Sequence, residues 1–207
     1  QESKSDLILP QDRPADQQLE IARTAINKGD FVAAATVLRH FISPERDSIV
    51  ARPGTAVLAS ARSEALQLML QLPKEARDRL YSELDRLAEP TWSVVKQSGN
   101  RDEIASFVDR YSGSVSELNA LRWLANLHRD AGRNQQAAVT WQQVAVHPRA
   151  TAGQRTYALV ASVESLISAG RIEAAEGLAR EVTSTNPILI GGKSVVPRDW
   201  VAERIRK

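Results

Sequence analysis

Two glycines followed by lysine and serine, as in Gly191-Gly192-Lys193-Ser194, are what a phosphate-binding loop uses at its end, where main-chain N–H groups and a lysine surround the phosphate. That loop also needs a glycine five residues before its last glycine and a long helix directly after the serine. Here the first position holds Pro187 and the second begins Val195-Val196-Pro197, so a β-turn is the expectation instead of a nucleotide site. Metal chemistry would draw on His40, His128 and His147, the three histidines of the chain. None stands three or four residues from another, and no cysteine is present to complete a ligand set. A nucleophilic triad fares no better, because neither Ser165 nor Ser194 has a histidine at a suggestive spacing. The expectation is therefore a non-enzymatic chain with no cofactor and no resident metal.

Residues suited to binding are a different matter. On a helix covering 117 to 131, Asn119, Arg122, Asn126, Arg129 and Asp130 fall within about 100° of arc, with Trp123 at its margin. A cationic, amide-bearing strip beside an aromatic ring suits a carboxylate-bearing peptide, since guanidinium pairs with carboxylate in a fixed fork. Asn119, Arg122, Trp123, Asn126 and Arg129 are thus the candidate partner-binding residues; the competing reading is a solvated face with local ion pairs.

That strip must be held by the stretch from Leu118 to Pro148. Leu118, Leu121, Leu124, Ala125 and His128 recur on one side of a helix, and Gly132 follows the last of them, where a left-handed backbone ends a helix. The apolar pattern restarts at Ala137, Trp141, Val144 and Ala145, which predicts a second helix folded back on the first. The same outline appears at Gly29 with Ala34 and at Gly170 with Ala175, each alanine five residues after its glycine. Gly99, Gly132 and Gly170 are spaced by 33 and 38 residues, a period proper to stacked helix-turn-helix arrays.

Elsewhere the pattern predicts an extended arm over residues 1 to 13 and a helix from 15 to 28 with Pro14 in its first turn. A partner helix over 31 to 43 is capped by Asp30. Residues 43 to 54 read as an irregular loop that packs back through Ile49 and Val50, and a helix is expected over 55 to 72. Another is expected over 74 to 87, with a break or a fresh start at Pro90. At the C-terminus, β-branched residues flank Gly191-Gly192 and predict a short hairpin, followed by a helix from Pro197 carrying Trp200, Val201 and Ile205.

Of the 27 basic and 25 acidic residues, the 21 arginines are scattered over every expected helix, and the net charge is only +2. Nucleic acid is not demanded, although an Arg-rich helical-repeat adaptor for nucleic acid is the alternative reading. Aromatic content of 5% with abundant alanine favours closely packed helices over a sandwich core. No apolar run approaches the roughly 18 residues of a membrane span. Residue one is Gln and the single Met is Met69, which suggests a removed leader or a larger parent protein.

Through Ala137 and Ala175, and through the closing Pro148 and Pro187, residues 118–148 and 151–187 resemble the tetratricopeptide-repeat (TPR) superfamily. In place of that family's Trp-Leu-Gly-Tyr run stand Leu121, Leu124, Ala125 and His128. The layout as a whole also resembles the helical N-terminal regions that precede PQQ-type β-propellers in bacterial envelope proteins. LPQDR, LQLPKEARDRLY, SGNRDEIASFVDRYSGS and IGGKSVVPRDWV carry that likeness. The resemblance implies an all-α, right-handed TPR-like solenoid of four to five hairpins over 14–187. It also implies an extended arm at 1–13 and a hairpin-and-helix cap or linker at 188–207. The implied role is a protein-interaction or scaffold module in the periplasm or cell envelope, with a protein or peptide partner.

Overall fold

The structure, a computed structural model, describes residues 12–43, 47–51 and 57–206. It is mostly helical, with ten α-helices and two antiparallel strand pairs among the described residues. The chain divides into two compact units, residues 1–87 with 110–112 and residues 88–109 with 113–207.

In the first unit α1 (Arg13–Asn27) folds back onto α2 (Phe31–Leu38), which tightens into a 3-10 turn at Arg39–Phe41. Asp12 caps α1 by accepting from the Ala15 N–H, and a proline stands in the first turn, as expected. Most of the proposed extended arm, residues 1–11, lies outside the described residues; Arg13 already opens the helix. Asp30 accepts from the Ala33 N–H and so caps α2. Leu19, Ala22, Ala34 and Leu38 form the contact between the two helices and join one core with Ala65, Met69 and Leu84.

Two expectations fail in this unit. Leu58–Ser60 is not helical but forms strand β2, paired antiparallel with β1 (Ile49–Ala51), so α3 starts only at Ala61 and ends at Met69. The cause is a side-chain clamp: Asp47 accepts from the Ser60 hydroxyl at 2.8 Å and from the Arg62 N–H at 3.2 Å, while Ser60 caps the helix through the Ser63 N–H. Val50 is fully buried, so the chain does pack back as foreseen, although as a strand. The Asp12 N–H donates to the Ile49 carbonyl and the Ala51 N–H to Asp16, which fixes β1 to the first turn of α1.

The second correction concerns Pro90. Helix α4 runs unbroken from Lys74 to Ser98 with that proline inside it. Proline forfeits one N–H bond to the carbonyl four residues back, here that of Arg86. Both Pro90 and Arg86 are exposed, so water can solvate that carbonyl, and the loss stays local.

The second unit contains the end of α4, then α5 (Arg101–Arg110), α6 (Val115–Asp130), α7 (Asn134–Val146), α8 (Ala152–Ser168) and α9 (Ile172–Ala179). Each helix from α7 to α9 packs on the one before it. The hairpin glycines adopt the expected left-handed backbone, with φ of 76° at Gly29, 70° at Gly132 and 70° at Gly170. Their hydrogen bonds repeat as well. Gly132 donates to the Arg129 carbonyl and Arg133 to that of His128; Gly170 and Arg171 donate likewise to Ile167 and Leu166, and Gly29 and Asp30 to Ile26 and Ala25. This closure satisfies the last carbonyls of each helix. The alanine five residues after each glycine, Ala34, Ala137 or Ala175, is fully buried where two helices approach.

The tail folds as read: β3 (Ile188–Ile190) pairs with β4 (Lys193–Val195) across a Gly191-Gly192 turn with positive φ at both. Helix α10 (Pro197–Arg206) then packs on α8 and α9. Val201 joins Val160, Val163 and Val182 in one apolar cluster, with Trp200 and Ile205 against it. The Trp200 indole N–H also donates to Glu164 at 2.9 Å.

Candidate functional site

Helix α6 exists where it does because Ser114 caps it and because Leu118, Leu121 and Ala125 bury one side against Trp141 and Val144 of α7. The opposite, polar side is thereby turned away from the core. Its start is anchored unusually firmly. Glu117 accepts from the Gly113 N–H and lies 2.9 Å from Nε2 of His147 at the end of α7, and both side chains are buried. Nδ1 of the same ring accepts from the Arg149 N–H, which leaves the Nε2 proton for Glu117 and defines a neutral tautomer. His147 thus serves in packing.

At the other end of α6, Arg133 Nε donates to Nδ1 of His128 at 3.3 Å. Burial first, and then the positive charges of Arg133 and Arg101, hold the His128 pKa below the ordinary imidazole value. A neutral His128 completes the helix end. Among the described residues no group of three or more His, Cys, Asp or Glu side chains could hold a metal ion.

Between these anchors an open groove of about 670 Å³ runs along α6. Trp92 and Lys96 of α4 line it, with Asn119, Arg122, Trp123, Asn126, Leu127 and Asp130 of α6, Trp141 of α7 and Tyr157 of α8. Four of the five sequence candidates therefore converge: Asn119, Arg122, Trp123 and Asn126. Arg129 does not join them. It lies two helical turns beyond Arg122, roughly 10 Å along the axis, and pairs with Asp130 at 3.6 Å beside a separate, smaller cavity shared with Asn134, Glu164 and Arg204.

The groove concentrates three of the four tryptophans of the chain. Trp92 meets Phe107 at 5.3 Å between centroids and Trp123 edge-on at 6.2 Å, while Trp141 meets Tyr157 edge-on at 5.5 Å. Lys96 rests over the Trp123 ring at 5.7 Å. Such a cation–aromatic contact is worth roughly 0.5–1 kcal/mol at an exposed site, about what an exposed ion pair is worth, so neither partner holds the ammonium exclusively. Neither Lys96 nor half-buried Arg122 has a carboxylate partner among the described residues. Asn126 donates its amide N–H to the Arg122 carbonyl at 3.0 Å, which leaves its oxygen free to accept.

One further atom stands out. Trp141 is 1% exposed, and its indole N–H has no hydrogen-bond partner. A buried donor left so costs about 1–3 kcal/mol. Lys96, Trp92, Trp141 and Tyr157 are the groove residues that helical spacing on α6 alone does not reveal. Concentration of tryptophan in an aromatic-poor chain was the available signal. No family model, no curated protein and no solved structure matches the chain.

Proposed function

We propose that the chain is a non-enzymatic interaction or scaffold module, a TPR-like solenoid of helical hairpins whose α6 groove takes an acidic segment of a partner protein. One observation carries the reading: Arg122, half-buried and without a carboxylate partner, stands with Lys96 in an aromatic-walled groove. The two cations are electrostatically complementary to carboxylates and outnumber the one carboxylate of the groove, Asp130, which pairs with Arg129 at 3.6 Å. The three equivalent glycine turns support the solenoid arrangement. A periplasmic or envelope setting, N-terminal to a β-propeller, is proposed from the segment likenesses alone.

The test is a peptide array that varies Asp and Glu content, probed with the wild-type chain and with the R122E/K96E double variant. Acidic peptides should be retained by the wild type and lost by the double variant, with unchanged helicity by circular dichroism. R129E should bind as the wild type does. Equal retention by the double variant would return α6 to a solvated helix face.

A further inference from the structure

The α6 groove does not carry one sign of charge along its whole length. Its cations are Lys96 and Arg122; its acceptors are the Asp130 carboxylate, the Tyr157 hydroxyl and the amide oxygens of Asn119 and Asn126. The two signs stand at different heights on one helix. Lys96 rests over the ring of Trp123, the residue after Arg122, so both cations belong to one level of α6. Asp130 is the last residue of that helix, eight positions and roughly 12 Å of rise beyond Arg122. Its 3.6 Å approach to Arg129 is longer than a hydrogen bond, and both side chains are exposed, so the carboxylate stays open to a second cation. Asn126 and Leu127 lie between the two levels.

A peptide that answers both levels has a spacing fixed by chain geometry. In an extended segment, side chains two and four residues apart point to the same face, and four residues cover roughly 13 Å. That span matches the distance from Arg122 to Asp130. The Asn126 amide oxygen, whose N–H is spent on the Arg122 carbonyl, accepts a main-chain N–H, which an extended segment offers and a helix interior does not. We propose that the groove selects an extended segment carrying an acidic and a basic side chain four residues apart. The acid pairs with Arg122 and Lys96, the base with Asp130, and an apolar side chain midway rests on Leu127. The inference rests on the acidic-segment reading of the groove and adds to it a second charge and a register. Asp130 is then a specificity-determining residue: a run of acidic residues places a carboxylate against it, and that repulsion excludes uniformly acidic segments.

The experiment titrates the capped peptide Gly-Glu-Ser-Leu-Ser-Lys-Gly into the intact chain. Binding is followed by the ¹H–¹⁵N resonances of the Trp123 indole, the Asn126 side-chain amide and the Asp130 main chain. Both orders, Glu first and Lys first, are used, each with versions carrying Gln for Glu, Gln for Lys, or Glu for Lys. In at least one order the parent peptide should bind roughly two- to fivefold more tightly than its Gln-for-Lys version, the advantage an exposed ion pair supplies. The peptide with two Glu should bind more weakly still, and moving the Lys one residue closer to the Glu should remove the advantage. Asp130→Asn should erase the preference for Lys and keep the requirement for Glu, with unchanged circular dichroism. Equal binding of the Lys and Gln versions in both orders refutes the register while the acidic-segment reading stands. So does a Lys preference that survives in Asp130→Asn or at the shorter spacing, and so does tightest binding by the peptide with two Glu. If exchange of Glu for Gln changes nothing, or no peptide moves these resonances, both readings fall.

Discussion

Gly132, Gly170 and Gly29 show how a single residue type sets the fold locally. Nothing lies within 4 Å of where a Cβ would be at any of the three, so a substitution there meets no steric neighbour. The penalty is purely one of backbone, φ being near +70°. Gly132→Ala should therefore cost about 1 kcal/mol, visible as a lower melting temperature with binding by the folded protein intact; an unchanged melt would refute the account of that turn. His128 gives a second prediction at this scale. Its folded-state pKa lies below the unfolded one, so on acidification the unfolded chain takes up the proton first. Stability present above about pH 6.5 should decline as pH falls through the depressed folded value. A His128→Phe variant should show a shallower dependence of melting temperature on pH between 7 and 5 than the parent chain.

At the scale of elements, what could be read in sequence was what is local. Glycine turns, Asp30 and the Gly191-Gly192 hairpin depend on a handful of neighbouring residues, and each formed where expected. Strand β2 did not announce itself because Leu58 to Ser60 are held by β1 and by Asp47, which stands 13 residues before Ser60. Pro90 misled for the opposite reason: a local rule was outweighed by a helix that extends well beyond it on both sides. In the groove, Asn119, Arg122, Trp123 and Asn126 share a helix face that periodicity exposes, whereas Lys96, Trp141 and Tyr157 arrive from three other helices. Arg129 shares the angular position of Arg122 but not its height, which a helical-wheel argument does not register. The tail helix α10 is a short element whose stability must come from docking, since isolated helices under about 12 residues are marginal in water. Deletion of residues 188–207 should lower the melting temperature and increase binding of a hydrophobic dye, because Val160, Val163 and Val182 would lose their cover. An unchanged melt without added dye binding would make the tail a linker and not a cap.

For the molecule as a whole, charge bears on the choice of partner. A net charge of +2 over 207 residues, with ion pairs such as Arg23–Glu64 and Arg39–Glu83 formed inside the first unit, leaves little long-range positive field. Binding to a duplex or single-stranded oligonucleotide should be undetectable by fluorescence anisotropy near physiological salt. Tight binding that weakens steeply as salt rises would instead favour the nucleic-acid adaptor. The repeated glycine turns have a consequence in time as well as in space. From α7 to α9 each helix packs on its immediate predecessor, so each of these interhelical contacts closes only a short loop of chain. Low sequence separation between contacting residues speeds folding, because little loop entropy is lost before a contact forms. A nascent chain could then complete each hairpin as soon as its second helix is synthesised, without waiting for distant sequence. The packing of α1 on α3 and on β1, which Asp12 and Asp16 tie to it, must wait for more distant sequence.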